Sequence, residues 1–512
     1  MKEDTPKLEA RLEKLKNDIR DVLNDDTLPV AEKQLAAEAL ETERDNIEAK
    51  RHQKIRDAVS DKFWLQGETL SKYWINLNKS RTPRDTIARL RTGRGDQRTH
   101  TTSSKQMAEE ARSYHESLQN AGLCEDLTEE EVEEVLSHLT TRLPNHHKYR
   151  LAEYLDEEEV RQAMKDLPNG KAPAFNIIQI LTRIFNDIER HGIDPNTDFA
   201  KGWMCPIYKK GDETDIANYR PITVLNTDYK MMTRALTTKL SEAAPTLIHP
   251  DQAGFMKGRR IEDQTDLAQM LLYQCEQDNM NGLFVFLDQE KAYDKIRHDF
   301  IWRTLETLNF PNHFINTLKT IYNNGETCII INGVISDTYR VVRGVRQGDP
   351  LSCLIFNLAI ESLAAMLRAS ELRGFQTSGE EERLITSLFA DDTTVYLSAN
   401  DNLETLQQVL KRWCRCSGAK FNTNKTIYLP VGNPEYRAQV AQTRLFGPHH
   451  IPEGVQIAAD GTPVRMLGAY IGNGIMNPEV WTPTLDKLKS RLAQWDKSRP
   501  TGNLLAGQET LR

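Results

Sequence analysis

An α+β fold with a helical N-terminal extension is predicted by two patterns along the chain. The first residues have helical periodicity, and from about Leu155 helical stretches alternate with short runs rich in β-branched and aromatic residues. No repeat at a fixed period interrupts that texture. At 512 residues the chain has room for two to four domains.

Thr5 before Pro6 is a helix start, with proline at the first helical position, and Leu8, Leu12, Leu15, Ile19 and Val22 follow at three-and-four spacing. A turn over Asp25 to Pro29 leads to a second helical run, Ala31 to about Ile55, so the two are expected to pair as an antiparallel hairpin. Phe63, Trp64, Tyr73 and Trp74 then precede the polar, arginine-rich string SRTPRDTIARLRTGRGDQRTHTTSSK. It reads as a loop or extended arm suited to a phosphate backbone, with plain linker as the alternative. Farther on, Asn226 to Ala243 is a predicted helix, while Gly282 to Leu287, Thr327 to Ile331 and Val395 to Leu397 are predicted strands. Leu485 to Trp495 is the last helical run.

The net charge of −8 would by itself argue against a nucleic-acid partner. The charge is segregated, however. Lys50 to Arg112 holds fifteen Lys or Arg against seven acids, and Glu125 to Glu159 holds twelve acids against three bases. A basic region could hold phosphates while an acidic one faces solvent; two solvated helical faces are the plain alternative. Seven cysteines without paired spacing, Cys414 and Cys416 included, are expected to be reduced thiols. No run of about 18 consecutive apolar residues occurs, and the first ten residues lack the apolar core of a secretory signal, so a soluble intracellular protein without a membrane partner is expected.

Chemistry first becomes visible in the carboxylates. An apolar strand, Leu283 to Leu287, runs directly into Asp288, and Leu388, Phe389 and Ala390 lead into Asp391 and Asp392 before a second apolar run, as in two strands joined by an acidic turn. Adjacent aspartates in a turn are usually no more than turn residues. Brought together, though, three carboxylates suit two Mg²⁺ ions, which prefer carboxylate oxygens and substrate phosphates, with Mn²⁺ as the alternative ion. Two such ions are the clamp that in-line phosphoryl transfer requires.

These residues resemble the reverse transcriptase family in its non-LTR, LINE-like form, over roughly Lys201 to Gly472. FADD at Phe389 to Asp392 is similar to the family's palm hairpin, and FLDQEKAYDKI at Phe286 to Ile296 to its first palm motif, which makes Asp288, Asp391 and Asp392 the metal-binding catalytic set and Asp294 a structural residue. By the same resemblance Tyr293 is the steric gate against a 2′-hydroxyl. RGVRQGDPLS at Arg343 to Ser352 is similar to the motif beneath the nascent base pair, with Gln347 and Gly348 on the turn before a helix starting near Pro350. CPIYKKGDETDIANYRPITVLN looks like the fingers segment, with Lys209, Lys210 and Arg220 toward the triphosphate or template. DQAGFMKGRRIEDQ resembles the segment between fingers and palm, with Lys257, Arg259 and Arg260 toward the template. SGAKFNTNKT makes Lys425 a candidate donor to departing pyrophosphate, and LGAYIG at Leu467 to Gly472 looks like the primer grip. Arg81, Arg84, Arg91 and Arg94 of the basic string are further candidates for nucleic-acid contact.

What the resemblance implies is a right-hand polymerase fold with fingers, palm and a partial thumb. Its expected divisions are a helical hairpin at 1–60, a basic then acidic extension at 61–154 and fingers at 155–265. Palm follows at 266–430, the end of the palm with the primer grip at 431–480 and a truncated start of the thumb at 481–512. It also implies an RNA template, a DNA primer or nicked target DNA, dNTPs and a nuclear location, while the oligomeric state stays open. The family's pattern breaks after KAP, where the sequence runs almost directly from Lys171 to Phe185, so the fingers are expected to be shortened near 172–176. A catalytically inactive relic that retains at most nucleic-acid binding is the competing expectation. A group II intron maturase or telomerase-like enzyme is disfavoured by the wording of DQEKAYD and RGVRQGDPLS.

Overall fold

The computed structural model describes residues 4–25, most of 29–47, 86–93, nearly all of 99–167, 177–376 and 383–475, and parts of 481–492. The deletion expected near 172–176, along with Arg81, Arg84 and Arg94, lies outside these residues.

At the centre is a five-stranded sheet ordered Gln456–Ile457, Ile427–Val431, Gly282–Leu287, Asp392–Ser398 and Thr386–Phe389. All neighbours run antiparallel except the first pair. Helices cover both faces, which is why Gly282–Leu287 reads as a continuous apolar run rather than an alternation. Leu283, Val285 and Leu287 point into the main core with Val395 and Leu397, against the helices Ser352–Ala369, His298–Thr307 and Leu403–Ser417. Phe284 points the other way, stacking edge-on against Tyr396 and Phe375 over the helix Ile261–Gln277. Helix Ser352–Ala369 is apolar and long enough to cross a membrane, but most of it is buried inside the molecule, the position of a core helix.

A second sheet is built on the antiparallel pair Lys201–Tyr208 and Tyr219–Leu225, with Glu326–Ile331 added parallel to the first strand. Helix Ser104–Asn120 packs on it. Part of the basic string folds here too, as the strand pair Leu90–Thr92 and Thr99–Thr101. Ile87 and Leu90 are buried in the same cluster as Met107 and Ile329, and the Arg91 amide donates to the Thr214 carbonyl at 2.7 Å. The expected extended arm is therefore a docked hairpin over these described residues, because two apolar side chains scattered among arginines suffice to seat it.

At the N-terminus the helix Asp4–Asn24 packs Leu12 and Leu15 against Ile47, and Ile19 against Ala37, an antiparallel order closed by Arg11 and Glu43 at 2.7 Å. The acidic segment does more than face solvent. Helix Glu129–Ser137 opens on a capping box between Thr128 and Glu131, and its acids meet Arg303, Arg412 and Arg415. Cys124, Cys275, Cys328, Cys353, Cys414 and Cys416 are free thiols. Where residues 481–492 are described they are helical, with Trp481, Leu485, Leu488 and Leu492 exposed at three-and-four spacing.

Candidate active site

Thr393 pairs with Leu287 in the central sheet, so one further step of that register sets Asp392 beside Asp288. Side chains alternate between faces along a strand. Asp288 therefore follows Phe284 and Phe286 to one face, and Asp392 joins Thr394 and Tyr396 on the same face. Asp391 occupies the turn between Thr386–Phe389 and Asp392–Ser398, where the chain reverses through Ala390 in a left-handed conformation, φ 58°. For a non-glycine residue that conformation costs about 1 kcal/mol, so the turn needs outside support. Gln289, buried beside Asp288, donates to the Asp391 carbonyl at 3.4 Å, and Gln252 bonds to Ala390 from the opposite side.

Electrostatics agree with the proximity. Burial, then the charge of Asp288, raises the Asp391 acid above the ordinary aspartate value. Asp392 keeps an exposed surface, yet its carboxyl stands in a crowded mouth. That desolvation, followed by repulsion from Asp391 and Asp288, pushes it up to about 6. The Lys209 ammonium, one residue past the strand Lys201–Tyr208, opposes both shifts. Lys425 stands 3.7 Å from Asp288, placed there because the Asn422 amide donates to the Asp288 carbonyl at 2.7 Å and a single 3-10 turn, Thr423–Lys425, follows. Among the described residues no three His, Cys, Asp or Glu side chains close into a ready-made metal cage. The all-oxygen donor set nonetheless fits Mg²⁺, which is usually held by one or two carboxylates together with substrate phosphates.

Tyr293 is close enough to Asp391 and Asp392 to feel their charge. Its ring stacks on Phe356 at 4.6 Å, and its buried hydroxyl has no hydrogen-bond partner among the described residues. Burial raises the phenol far above its ordinary value, with Cys353, Asp391 and Asp392 adding to the effect. Beside Asp392 a cavity of about 490 Å³ runs between Phe286, Leu388 and Thr394 on one side and Arg465 to Gly468 on the other. That second wall is a tight hairpin, Val464–Met466 with Ala469–Ile471, turning through Leu467 and Gly468, both at positive φ.

The remaining predicted residues divide. Lys209, Lys210, Arg220, Lys257 and Arg260 are exposed. Arg259 instead turns inward, its guanidinium donating to the carbonyls of Ile248, His249 and Gln252, so it holds the loop together rather than reaching outward. Arg91 pairs with Asp212 and Asp215. Gln347 accepts at its carbonyl from the Thr223 amide, and a Cβ on Gly348, at φ 122°, would overlap the Thr223 carbonyl. Within the protein, this glycine's close approach is to the second sheet. Asp294 is partly buried, and desolvation pushes its acid up to about 6 against the pull of Lys291, Arg343 and Lys295, as suits a structural role. The helix expected near Pro350 begins two residues later, at Ser352.

Residues 207–470, just over half of the chain, match the family model for reverse transcriptase (RNA-dependent DNA polymerase). The chain belongs to the reverse transcriptase family. Both strands of the aspartate hairpin, the strand before Asp288 and the hairpin at 464–471 lie within or at the edge of this reverse transcriptase match. Among its relatives are proteins of transposons and retrotransposable elements. The chain is 30% identical over 299 residues to the Transposon TX1 149 kDa protein of Xenopus laevis, covering 56% of this chain and 23% of that one. It is 26% identical over 240 residues to the Pol polyprotein of the R2DM element of Drosophila melanogaster, covering 46% and 22%. With the RNA-directed DNA polymerase of the mobile element jockey, from the same fly, identity is 22% over 302 residues, 54% of this chain and 32% of that one. The chain thus spans between about a fifth and a third of the length of each of these relatives.

Proposed function

We propose that this chain copies RNA into DNA for a non-LTR retrotransposon, adding dNTPs to a primer 3′-hydroxyl. The observation that carries the reading is the delivery of Asp288 and Asp392 to one face by neighbouring strands, with Asp391 on the adjoining turn. In this reading the central sheet is the palm, the second sheet the fingers, the hairpin at 464–471 the primer grip and residues from 481 onward the start of the thumb. The cavity beside Asp392 takes the primer end.

Asp288, Asp391 and Asp392 are the residues that would hold two Mg²⁺ ions. Those ions, when bound, supply Lewis-acid stabilisation of the attacking and leaving oxygens. The protein's own groups do the rest. Lys209, Lys210 and Arg220 meet the triphosphate with fixed positive charge. Lys425, beside Asp288, carries at Nζ the proton that departing pyrophosphate takes up. The Tyr293 ring, fixed by its stack on Phe356, occupies the space that a ribonucleotide 2′-hydroxyl needs. Gln347 and Gly348 join the fingers strand to the palm under the base pair. Lys257 and Arg260 face the template.

The test is extension of a DNA primer on an RNA template by the purified chain with Mg²⁺ and dNTPs, beside the Asp391→Asn variant. Extension by the wild type and not by the variant is expected. Equal extension by both would overturn the assignment of Asp391, and extension by neither would favour the inactive relic.

A further inference from the structure

The turn that carries Asp391 and Asp392 is built on a residue with no charge and no metal-binding chemistry. Gln252 is 1% exposed, and its side chain meets Ala390 twice. Its Oε1 accepts from the Ala390 amide at 2.8 Å and its Nε2 donates to the Ala390 carbonyl at 3.2 Å. The same Oε1 also accepts from the Gly254 amide at 2.8 Å. Around this contact the backbone is knitted as well: the Leu388 amide donates to the Asp251 carbonyl and the Ala253 amide to the Leu388 carbonyl, so residues 251–253 form a short parallel bridge along the outer edge of Thr386–Phe389. Gly254 packs so closely that a Cβ there would overlap the Ala390 amide, and Asn357 of the core helix donates to the Gly254 carbonyl at 2.6 Å.

An amide side chain suits this position. The backbone N–H and C=O of one residue in a left-handed turn need an acceptor and a donor side by side, and a carboxamide offers both without adding a charge next to two aspartates. A carboxylate would keep the acceptor but bring a third negative charge; an apolar side chain would leave two buried N–H groups unpaired. From the other side Gln289 reaches the Asp391 carbonyl at 3.4 Å, so the acidic turn sits between two buried amides.

The geometry points to Gln252 as a positioning residue for the polymerase reaction: by clamping Ala390 in its left-handed conformation it sets the carboxylates of Asp391 and Asp392 for metal binding, without touching metal or substrate. This rests on the reading that those aspartates hold the catalytic ions. The role differs from that of a simple packing residue, because it predicts a defect in metal use rather than in nucleic-acid binding.

The experiment is primer extension by the full chain across a Mg²⁺ titration, with template–primer affinity and thermal melting measured on the same samples. Wild type, Asp391→Asn, Gln252→Met and Gln252→Glu are compared. The expected result is that Gln252→Met, which fills the same space without hydrogen bonds, lowers kcat about 10- to 100-fold and raises the Mg²⁺ needed for half-maximal rate several-fold, while template–primer affinity stays within about twofold. Gln252→Glu, which keeps the acceptor and loses the donor, is expected to fall between. Wild-type kcat and Mg²⁺ requirement in Gln252→Met overturn the proposal, as does an equal loss of template–primer affinity. If Gln252→Met does not fold, Gln252→Glu decides alone, and an unchanged Mg²⁺ requirement there overturns it. Activity retained in Asp391→Asn, or absent from the wild type, marks instead the failure of the underlying reading, and this inference falls with it.

Discussion

Asp392 holds its proton more tightly in the folded chain than an ordinary aspartate does, and the consequence has a definite sign. Its acid is pushed up to about 6 from the usual 3.8. Between those values the metal-free folded chain binds more protons than the unfolded chain, so this group's contribution to stability falls as pH rises through that window and stays low above it. Asp392→Asn is therefore expected to raise the melting temperature of the metal-free protein at pH 7.5, by about 1–3 °C, and to leave it unchanged near pH 4; a lower melting temperature at pH 7.5 would contradict the repulsion. The same substitution should reduce primer extension by about 100-fold or more. Since Mg²⁺ must displace that proton, the apparent Mg²⁺ affinity of the wild type should weaken as pH drops below about 6. Tyr293→Ala should admit ribonucleotides, whereas Tyr293→Phe, which keeps the ring on Phe356, should still exclude them; equal sugar discrimination in all three proteins would remove the tyrosine from its gate role. The aspartates were legible because an apolar strand that ends in an acid is chemically odd on its face. Gln252 was not, since an uncharged loop residue gives no signal and its partner lies 138 positions away. Arg259 misled for a related reason: an arginine that caps carbonyls and one that grips phosphate are the same letter.

At the scale of elements, the strands of the central sheet could be read directly because burial on both faces leaves an unbroken apolar run, as in Leu283 to Leu287. Seating of the strand pair Leu90–Thr92 and Thr99–Thr101 escaped the reading because its apolar anchors, Ile87 and Leu90, are isolated among arginines, and their partners Met204 and Ile329 come from distant segments. Joining of the two sheets was equally hidden. Gly348 reads in the sequence as a site for close approach of a nucleotide, and nothing there shows that it also packs against Thr223 of the second sheet. Gly348→Ala is accordingly expected to loosen that junction and lower thermal stability through the strained φ and the clash with the Thr223 carbonyl, which differential scanning calorimetry would detect as a lower melting temperature. A smaller effect is expected at the helix Glu157–Lys165, whose first turn is closed by the capping box of Asp156 and Glu159. Asp156→Ala should cost about 1 kcal/mol in urea unfolding and leave extension kinetics alone; a change in kinetics would mean that this helix communicates with the site.

Over the whole molecule, the net charge of −8 misdirects because much of the acid is already engaged. Glu129, Glu131, Glu133 and Glu134 meet Arg303, Arg412 and Arg415 on one flank, exposed pairs that contribute little to stability but keep those arginines from presenting open positive charge. The exposed cations of the proposed reaction, Lys209, Lys210, Arg220, Lys257 and Arg260, enter no such pair among the described residues. If they meet phosphates, each releases condensed counterions, and the logarithm of the affinity for a template–primer duplex must fall linearly with the logarithm of salt, by roughly one unit of slope per contact. Five to six contacts correspond to a loss of about 10³-fold between 50 and 200 mM salt. Lys257→Ala should weaken binding on every sequence alike and flatten that slope by about one. Arg259→Ala supplies the internal control: its guanidinium is committed to three carbonyls, so it should reduce stability and leave the slope unchanged. Fluorescence anisotropy across a salt series measures all three proteins, and a flattened slope in Arg259→Ala with none in Lys257→Ala would reverse the roles assigned to these two residues.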